Sequence, residues 1–440
     1  MRKYVCAAPA VAGLLGGAIL ALSTPAAAQA LAACPSDSST VYVSGSSAFQ
    51  PVLIALANVL GSSVKIVYQK PGSCEGLQFI LKNTADTDSA FYVAPGTTSA
   101  TFNAAQCSLA GGMATIDVGA SDVYGATCTA GYDPNLPAVT GTFKDFPGPV
   151  QAMAFVQSSS ATMQHTISAE AAYMVFGFGA KAGQTPIPPW STTTDIFVRK
   201  NDSGTLQMLG KAIGLLGSKW QQAGTAPSVV QGSSTQDLVT KLIAQATMST
   251  ADGDASIGIL STSGLAAGTQ PIAFQGTGQS CSYYPSSTAS KSDLVNVRQG
   301  RYVVWGPEHL VTNVDGSGNP VGKNSNTAAV QALINAAVAT SQAPAVASDA
   351  GIGTLTETQI GQVIDAISSP TTGFIPTCAM QVSRTTEIGA EASYAPPAAC
   401  ICRFEQSAGM PTGHSCTQCT ADTGCSGATP KCHFGYCEAE

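Results

Sequence analysis

Arg199-Lys200-Asn201-Asp202-Ser203-Gly204-Thr205 is the densest set of anion-gripping groups in the chain. It lies between an expected strand, Asp195 to Arg199, and an expected helix, Thr205 to Leu216, whose Leu206, Leu209, Ile213 and Leu216 share one face. A helix start offers unpaired backbone N–H groups and partial positive charge, and Gly204 lets the backbone approach closely. Ser203 and Thr205 add hydroxyl donors, and Arg199 adds a planar charged fork. The set fits a tetrahedral oxyanion; the plainer reading is that Asp202 or Ser203 caps the helix.

Three further stretches carry similar chemistry. Ser44-Gly45-Ser46-Ser47 follows an expected strand at Val41-Tyr42-Val43, and Gly72-Ser73-Cys74-Glu75-Gly76 follows one at Val64 to Tyr68. Gly119-Ala120-Ser121-Asp122 closes a third that begins at Thr115. Each alone is an ordinary Ser/Gly turn. Together, all four occupy the carboxyl ends of strands, where open α/β sheets hold ligands.

Bringing four such loops together requires an α/β fold, and short β runs do alternate with helical patterns, implying a mainly parallel sheet with flanking helices. Helices are expected at Pro51 to Leu60, with Pro in the first turn, near Gly76 to Leu81, from Ser168-Ala169-Glu170 to Phe176, near Thr327 to Thr340 and at Glu357 to Ile367. Val150 to Val156 and Ser256 to Ile259 read as strands of a second lobe. Asn296 to Trp305 reads as the strand returning to the first, its Arg298 and Arg301 on a solvated edge rather than in a cleft.

These residues resemble the phosphate-binding subunits of bacterial phosphate ABC importers. Val43-Ser44-Gly45-Ser46-Ser47-Ala48-Phe49 is similar to the family's first ligand loop, which includes Ser46, and Ser47 falls on its hydroxyl position. Tyr68 to Gln78 resembles the second, with Ser73 at the ligand serine. Asp117-Val118-Gly119-Ala120-Ser121-Asp122 resembles the third, and Asp122 falls on the carboxylate that accepts the phosphate proton. Arg199, Ser203, Gly204 and Thr205 fall on the fourth, and Trp190 on a tryptophan before it. The resemblance implies a type II periplasmic-binding-protein fold, two α/β lobes around a cleft, with phosphate or a similar oxyanion as ligand and an ABC permease or a sensor as partner. It spans roughly Val41 to Ile259, with long insertions such as Lys82 to Met113. Asn201 and Asp202 stand where the family has aspartate and glycine, so either Arg199 is freer to bind the anion or Asp202 replaces the missing charge. Ala48 replaces a larger residue and implies a wider pocket.

A carboxylate at Asp122 repels an anion unless one of them carries a proton; hydrogen phosphate brings one at neutral pH and sulfate does not. Micromolar binding requires about 8 kcal/mol. Hydrogen bonds to a charged ligand contribute roughly 1.5–3 kcal/mol each before ordering and desolvation costs. The net charge of −7 opposes long-range steering of an anion, so affinity must be local.

Charged residues are only 10% of the 440-residue chain, and scattered Lys and Arg exclude a nucleic-acid track. Arg2 and Lys3 precede an apolar run from Val5 to Leu22 and then Ala26-Ala27-Ala28, the order of a secretory signal over 1–28, so export to the periplasm, cell surface or medium is expected. Leu31-Ala32-Ala33-Cys34 competes as a lipoprotein box, which would tether the protein to membrane by a lipid at Cys34. The expected plan is a binding domain over 29–377, with one lobe at about 36–149 and 257–377 and the other at about 150–256, then a Cys-rich tail over 378–440.

Of 14 cysteines, eight crowd into that tail. Cys416, Cys419, Cys425, Cys432, Cys437 and His433 have the types of a zinc cluster, but export favours disulfides and no metal or cofactor is expected. Cys107 and Cys128, which flank Asp122, are candidate partners, and Cys74, after Ser73, is a candidate partner for an unlipidated Cys34; spacing leaves the pairing open. His165, His309, His414 and His433 form no catalytic pattern, and Asp252 and Asp254 lack the remaining ligands of a calcium loop, so no enzyme is expected. The competing function is a surface interaction or adhesion protein that keeps the two-lobed fold.

Overall fold

One long strand joins the two halves of the molecule. The computed structural model describes residues 30–178, 187–220, 230–246, 249–341, 355–370, 372–409 and 416–438, and the expected signal at 1–28 lies outside them. The elements that build the site are, in order, β1 (Thr40–Gly45), α1 (Gln50–Leu60), β2 (Lys65–Gln69), α2 (Ser73–Lys82), β3 (Val118–Ser121), β4 (Phe143–Ser158), β5 (Ile196–Arg199), α3 (Gly204–Ala212), β6 (Val230–Gly232), α4 (Thr235–Ala246), β7 (Ile257–Ser261), β8 (Trp305–Asn313), α5 (Thr327–Val338), α6 (Glu357–Ile367) and α7 (Ile401–Ser407).

The sheet runs β6-β5-β7-β4-β8-β3-β1-β2, with Ala90–Val93 and Gln106–Cys107 beyond β2. β1 pairs in parallel with β2 and β3, and β5 in parallel with β6 and β7. β4 is antiparallel to both of its neighbours: Phe143 to Ala152 meet β8, which is in turn antiparallel to β3, and Met153 to Val156 meet β7. The result is two α/β lobes, each with its own set of parallel strands, joined through β4 and β8. β7 pairs with Ile196 and Phe197 of the second lobe, so the chain returns to the first only after Ser261.

Apolar alternation explains the cores. Val41, Val43, Ile66, Tyr68, Val118 and Ala120 are buried, and α1, α5 and α6 cover them. In the second lobe Val156, Phe197 and Leu260 pack on Leu238 and Leu242 of α4. Helix ends follow local signals: Ser168 caps the Ala169–Gly177 helix, and Thr356 with Gln359 forms a capping box on α6. The helix expected to reach Leu216 stops at Ala212. Gly214 takes φ +71° and Leu215 N–H donates to Gly210 O at 2.7 Å, closing the end as a Schellman turn.

The segment from Asn296 is not the returning strand. Val295–Arg298 is a short helical turn, and Arg298 is buried against Glu405 at 3.0 Å, while the strand begins at Trp305. Pairing across the chain is what sequence pattern could not supply there.

Cysteine pairing also differs from expectation. Cys34 joins Cys107, and Cys74 joins Cys128. With its sulfur bonded to Cys107, Cys34 is closed to a lipid. In the tail the bonds are Cys378–Cys400, Cys402–Cys416, Cys419–Cys432 and Cys425–Cys437, which consume the thiolates a zinc site would use. The first part of the tail packs on the α/β body: Cys400 and Phe404 are buried in its core, and Arg403 Nε donates to Asp365 of α6 at 2.9 Å. Among the described residues no helix is long and apolar enough to cross a membrane.

Cys281 is the free cysteine among the described residues, and it is exposed. Thiol titration of the denatured, unreduced protein lacking residues 1–28 is therefore expected to find one thiol per chain. After reduction it should find 13, the 14 of the sequence less Cys6.

Candidate functional site

Four strand ends converge on Asp122. It follows β3 and is 3% exposed. Ser46, after β1, donates its hydroxyl to Asp122 Oδ1, and Ser73, opening α2, donates to Oδ2 at 3.1 Å. Ser46 is itself fixed: its N–H donates to Ala120 O at 2.9 Å, its Oγ accepts from Ala48 N–H at 3.1 Å, and its carbonyl accepts from Tyr68. The Cys74–Cys128 disulfide ties the start of α2 to the helical turn after Asp122. Closing that 54-residue separation limits the unfolded chain by about 4 kcal/mol in the chain-entropy model.

The second lobe reaches the same point through α3. A Cβ on Gly204 would lie 2.5 Å from Ser73 Oγ and 2.8 Å from Asp122 Oδ2, so only glycine lets the helix start come this close. Ser203 occupies the N-cap position with extended backbone, yet no side chain caps α3. Thr205 is fully buried and its Oγ1 meets no hydrogen-bond partner among the described residues. Capping alone therefore does not account for this sequence.

Arg199, at the end of β5, is 3% exposed. Its Nη1 donates to Thr235 Oγ1 at 2.9 Å and its Nη2 to Ser47 Oγ at 3.3 Å, so the guanidinium spans both lobes. A cavity of about 660 Å³ opens at Ser47 and Thr235, with Gln50, Lys70, Asn103 and Gln236 among its walls. Trp190 is a buried core side chain.

Charge is balanced closely. Burial raises the pKa of Asp122; hydrogen bonds from Ser46, Glu308 and Ser73 and the charge of Arg199 oppose it. Burial lowers the pKa of Arg199, against the carboxylates of Asp202, Asp122 and Asp237. Asn201 does not face Arg199: its Nδ2 donates to Gly131 O at 3.2 Å and its Oδ1 accepts from Gln207 at 3.1 Å. Asp202 supplies the nearby charge instead, and burial raises its own pKa against the pull of Arg199. Its carbonyl accepts from Cys74 N–H at 2.9 Å across the cleft, and a Cβ on Gly72 would lie 2.8 Å from its Cγ.

All the residues singled out from sequence in these loops, Ser46, Ser47, Ser73, Asp122, Arg199, Ser203, Gly204 and Thr205, thus gather where the lobes meet. Tyr68 and Glu75, which the second loop contains without a role read for them, join these residues, and Thr235 and Glu308 join them unforeseen. Thr235 had a signal in Ser233-Ser234-Thr235 after an apolar pair, and Glu308 in a lone acid within an apolar run. Two of the histidines hold structural contacts: His309 is buried with Nδ1 2.6 Å from Asp145, and His165 meets Gln157 at 2.8 Å; His414 lies outside the described residues. Asp254 is buried and accepts from Met163 N–H at 2.9 Å.

No protein-family model matches the sequence, and no curated protein does either. Among solved structures, the chain is similar to a phosphate-binding protein from Stenotrophomonas maltophilia, with 14% identity over 77% of this chain and 90% of that one and a TM-score of 0.40. It is similar to an ABC-type phosphate transport receptor from Vibrio cholerae, with 14% identity over 63% and 88% and a TM-score of 0.36. It is also similar to an OxyR mutant from Corynebacterium glutamicum, with 12% identity over 75% and 71% and a TM-score of 0.32. The reading of the site rests on its own residues.

Glu75 gives a pH signature. Burial, then the neighbouring Asp202, pushes its pKa up to about 7. The folded protein keeps a proton that the unfolded chain loses above about pH 4.5. The contribution to stability is whole below that pH and is lost as pH rises towards 7. Glu75→Gln, which keeps a donor for Asp202 and cannot ionise, is expected to raise the melting temperature by roughly 2–4 °C at pH 8 and hardly at pH 4.5. Thermal melts of both proteins across this range measure it.

Proposed function

We propose that this chain is an extracytoplasmic solute-binding protein that holds a tetrahedral oxyanion, phosphate foremost, between its lobes for delivery to an ABC permease or a sensor. The observation that carries the reading is the meeting of a buried carboxyl, two hydroxyls, a buried guanidinium and an uncapped helix start at one point. Ser46, Ser47, Ser73, Ser203 and Thr205 supply hydroxyls, Gly204 supplies backbone N–H, and Arg199 supplies charge.

The hydroxyls of Ser46 and Ser73 now donate to Asp122. An arriving anion takes over those donors and gives its own proton to Asp122 as a hydrogen bond. A carboxylate in that position favours hydrogen phosphate or arsenate over sulfate. Lys70, half-buried at the cavity wall, adds a cation along the approach.

Calorimetry of the mature protein at pH 7 is expected to show saturable phosphate binding that outcompetes sulfate. Arg199→Ala should weaken it about 100-fold or more, since charge-assisted bonds from a buried fork are lost. Asp122→Asn should weaken phosphate and narrow its advantage over sulfate. No heat with phosphate, arsenate or sulfate from about pH 5 to 9 would replace this reading with that of a surface interaction protein.

A further inference from the structure

Glu308 is a fully buried acid on β8, a strand that lies antiparallel to β3 with His309 opposite Ser121. This register sets Glu308 across from Asp122, with the two buried carboxyls within hydrogen-bonding reach of each other. Neither Glu308 oxygen accepts from a donor among the described residues. Two carboxylates cannot bond, so the contact requires a proton on one of them.

The surroundings decide which. Asp122 already accepts from Ser46 and Ser73 and feels Arg199, all of which favour its charged form. Glu308 has no such donors and feels the charges of Asp122 and Asp145, and Tyr68 is the other titratable group that feels Glu308. Burial and those charges hold the proton on Glu308.

We infer that Glu308 is a positioning residue for the anion site: a neutral carboxylic acid that donates to Asp122 from behind and so keeps Asp122 an acceptor, which fixes selectivity for oxyanions that carry a proton. The inference rests on the oxyanion reading above and adds a determinant of its selectivity. Without the donation, buried Asp122 takes up a proton itself. It then becomes a donor, and the site loses its means of rejecting sulfate. The effect is on the ratio of two ligands, which a general loosening of the fold would not shift.

The test compares phosphate and sulfate affinities for the wild type, Glu308→Gln and Glu308→Leu at pH 7.5. The amide of glutamine still donates to Asp122, so Glu308→Gln should keep the phosphate-to-sulfate ratio within about threefold. Glu308→Leu removes the donor and should lower the ratio about tenfold or more. A folded Glu308→Leu protein with an unchanged ratio overturns the inference. Infrared spectroscopy of the wild type at pH 8 supplies an independent readout, valid even where the leucine variant does not fold. A band from a protonated carboxyl, absent in Glu308→Gln, is expected; a wild type without it overturns the inference. Failure of the wild type to bind either anion, with the band present, instead overturns the oxyanion reading and leaves the carboxyl pair standing.

Discussion

A carboxyl group buried where two lobes meet is the constraint on which the rest of the structure turns. Removing an ionised carboxylate from water is tolerated only where hydrogen bonds and opposite charge replace the lost solvent. Around Asp122 those replacements arrive from four places in the chain: Ser46, Ser73, Glu308 and Arg199. No local segment could supply them all. The strand order, which sets β1, β2 and β3 side by side and carries β5 and α3 to the facing lobe, is the arrangement that does.

Low overall charge sharpens this. With 45 charged residues in 440, most of the chain is neutral, and several of its charged groups are buried in specific contacts. Arg199 faces Asp122 and Asp202, Asp202 faces Glu75, and Arg298 closes on Glu405. Acids outnumber bases at the cleft, so two of the carboxyls, Glu75 and Glu308, resolve the excess by holding protons rather than by finding cations. An anion entering such a site meets a local balance already close to neutral.

What could be read from the sequence was what is local in it. The four Ser/Gly-containing loops, α6 and the N-cap at Ser168 each depend on a few adjacent residues, and they lie where the pattern puts them. Thr235 and Tyr68 escaped because their roles come from partners 36 and 22 residues away, at Arg199 and Ser46. Glu308 escaped for the same reason: nothing near it in sequence says that it will face Asp122. The misassigned strand at Asn296 failed because Arg298 is drawn inward by Glu405, 107 residues on. Cysteine partners failed likewise: Cys34 and Cys107 sit on segments whose proximity is created by the sheet.

The six disulfides divide into two groups. Cys34–Cys107 and Cys74–Cys128 staple the first lobe, and four more bind the chain from Cys378 onward. None crosses the cleft, which among the described residues is bridged by hydrogen bonds such as Cys74 N–H to Asp202 O and Arg199 to Ser47. An oxidising compartment can therefore harden both ends of the protein against unfolding without welding the jaws. Opening and reclosing around a ligand would break only contacts that water can replace, so durability and the freedom to let go are assigned to different parts of one chain.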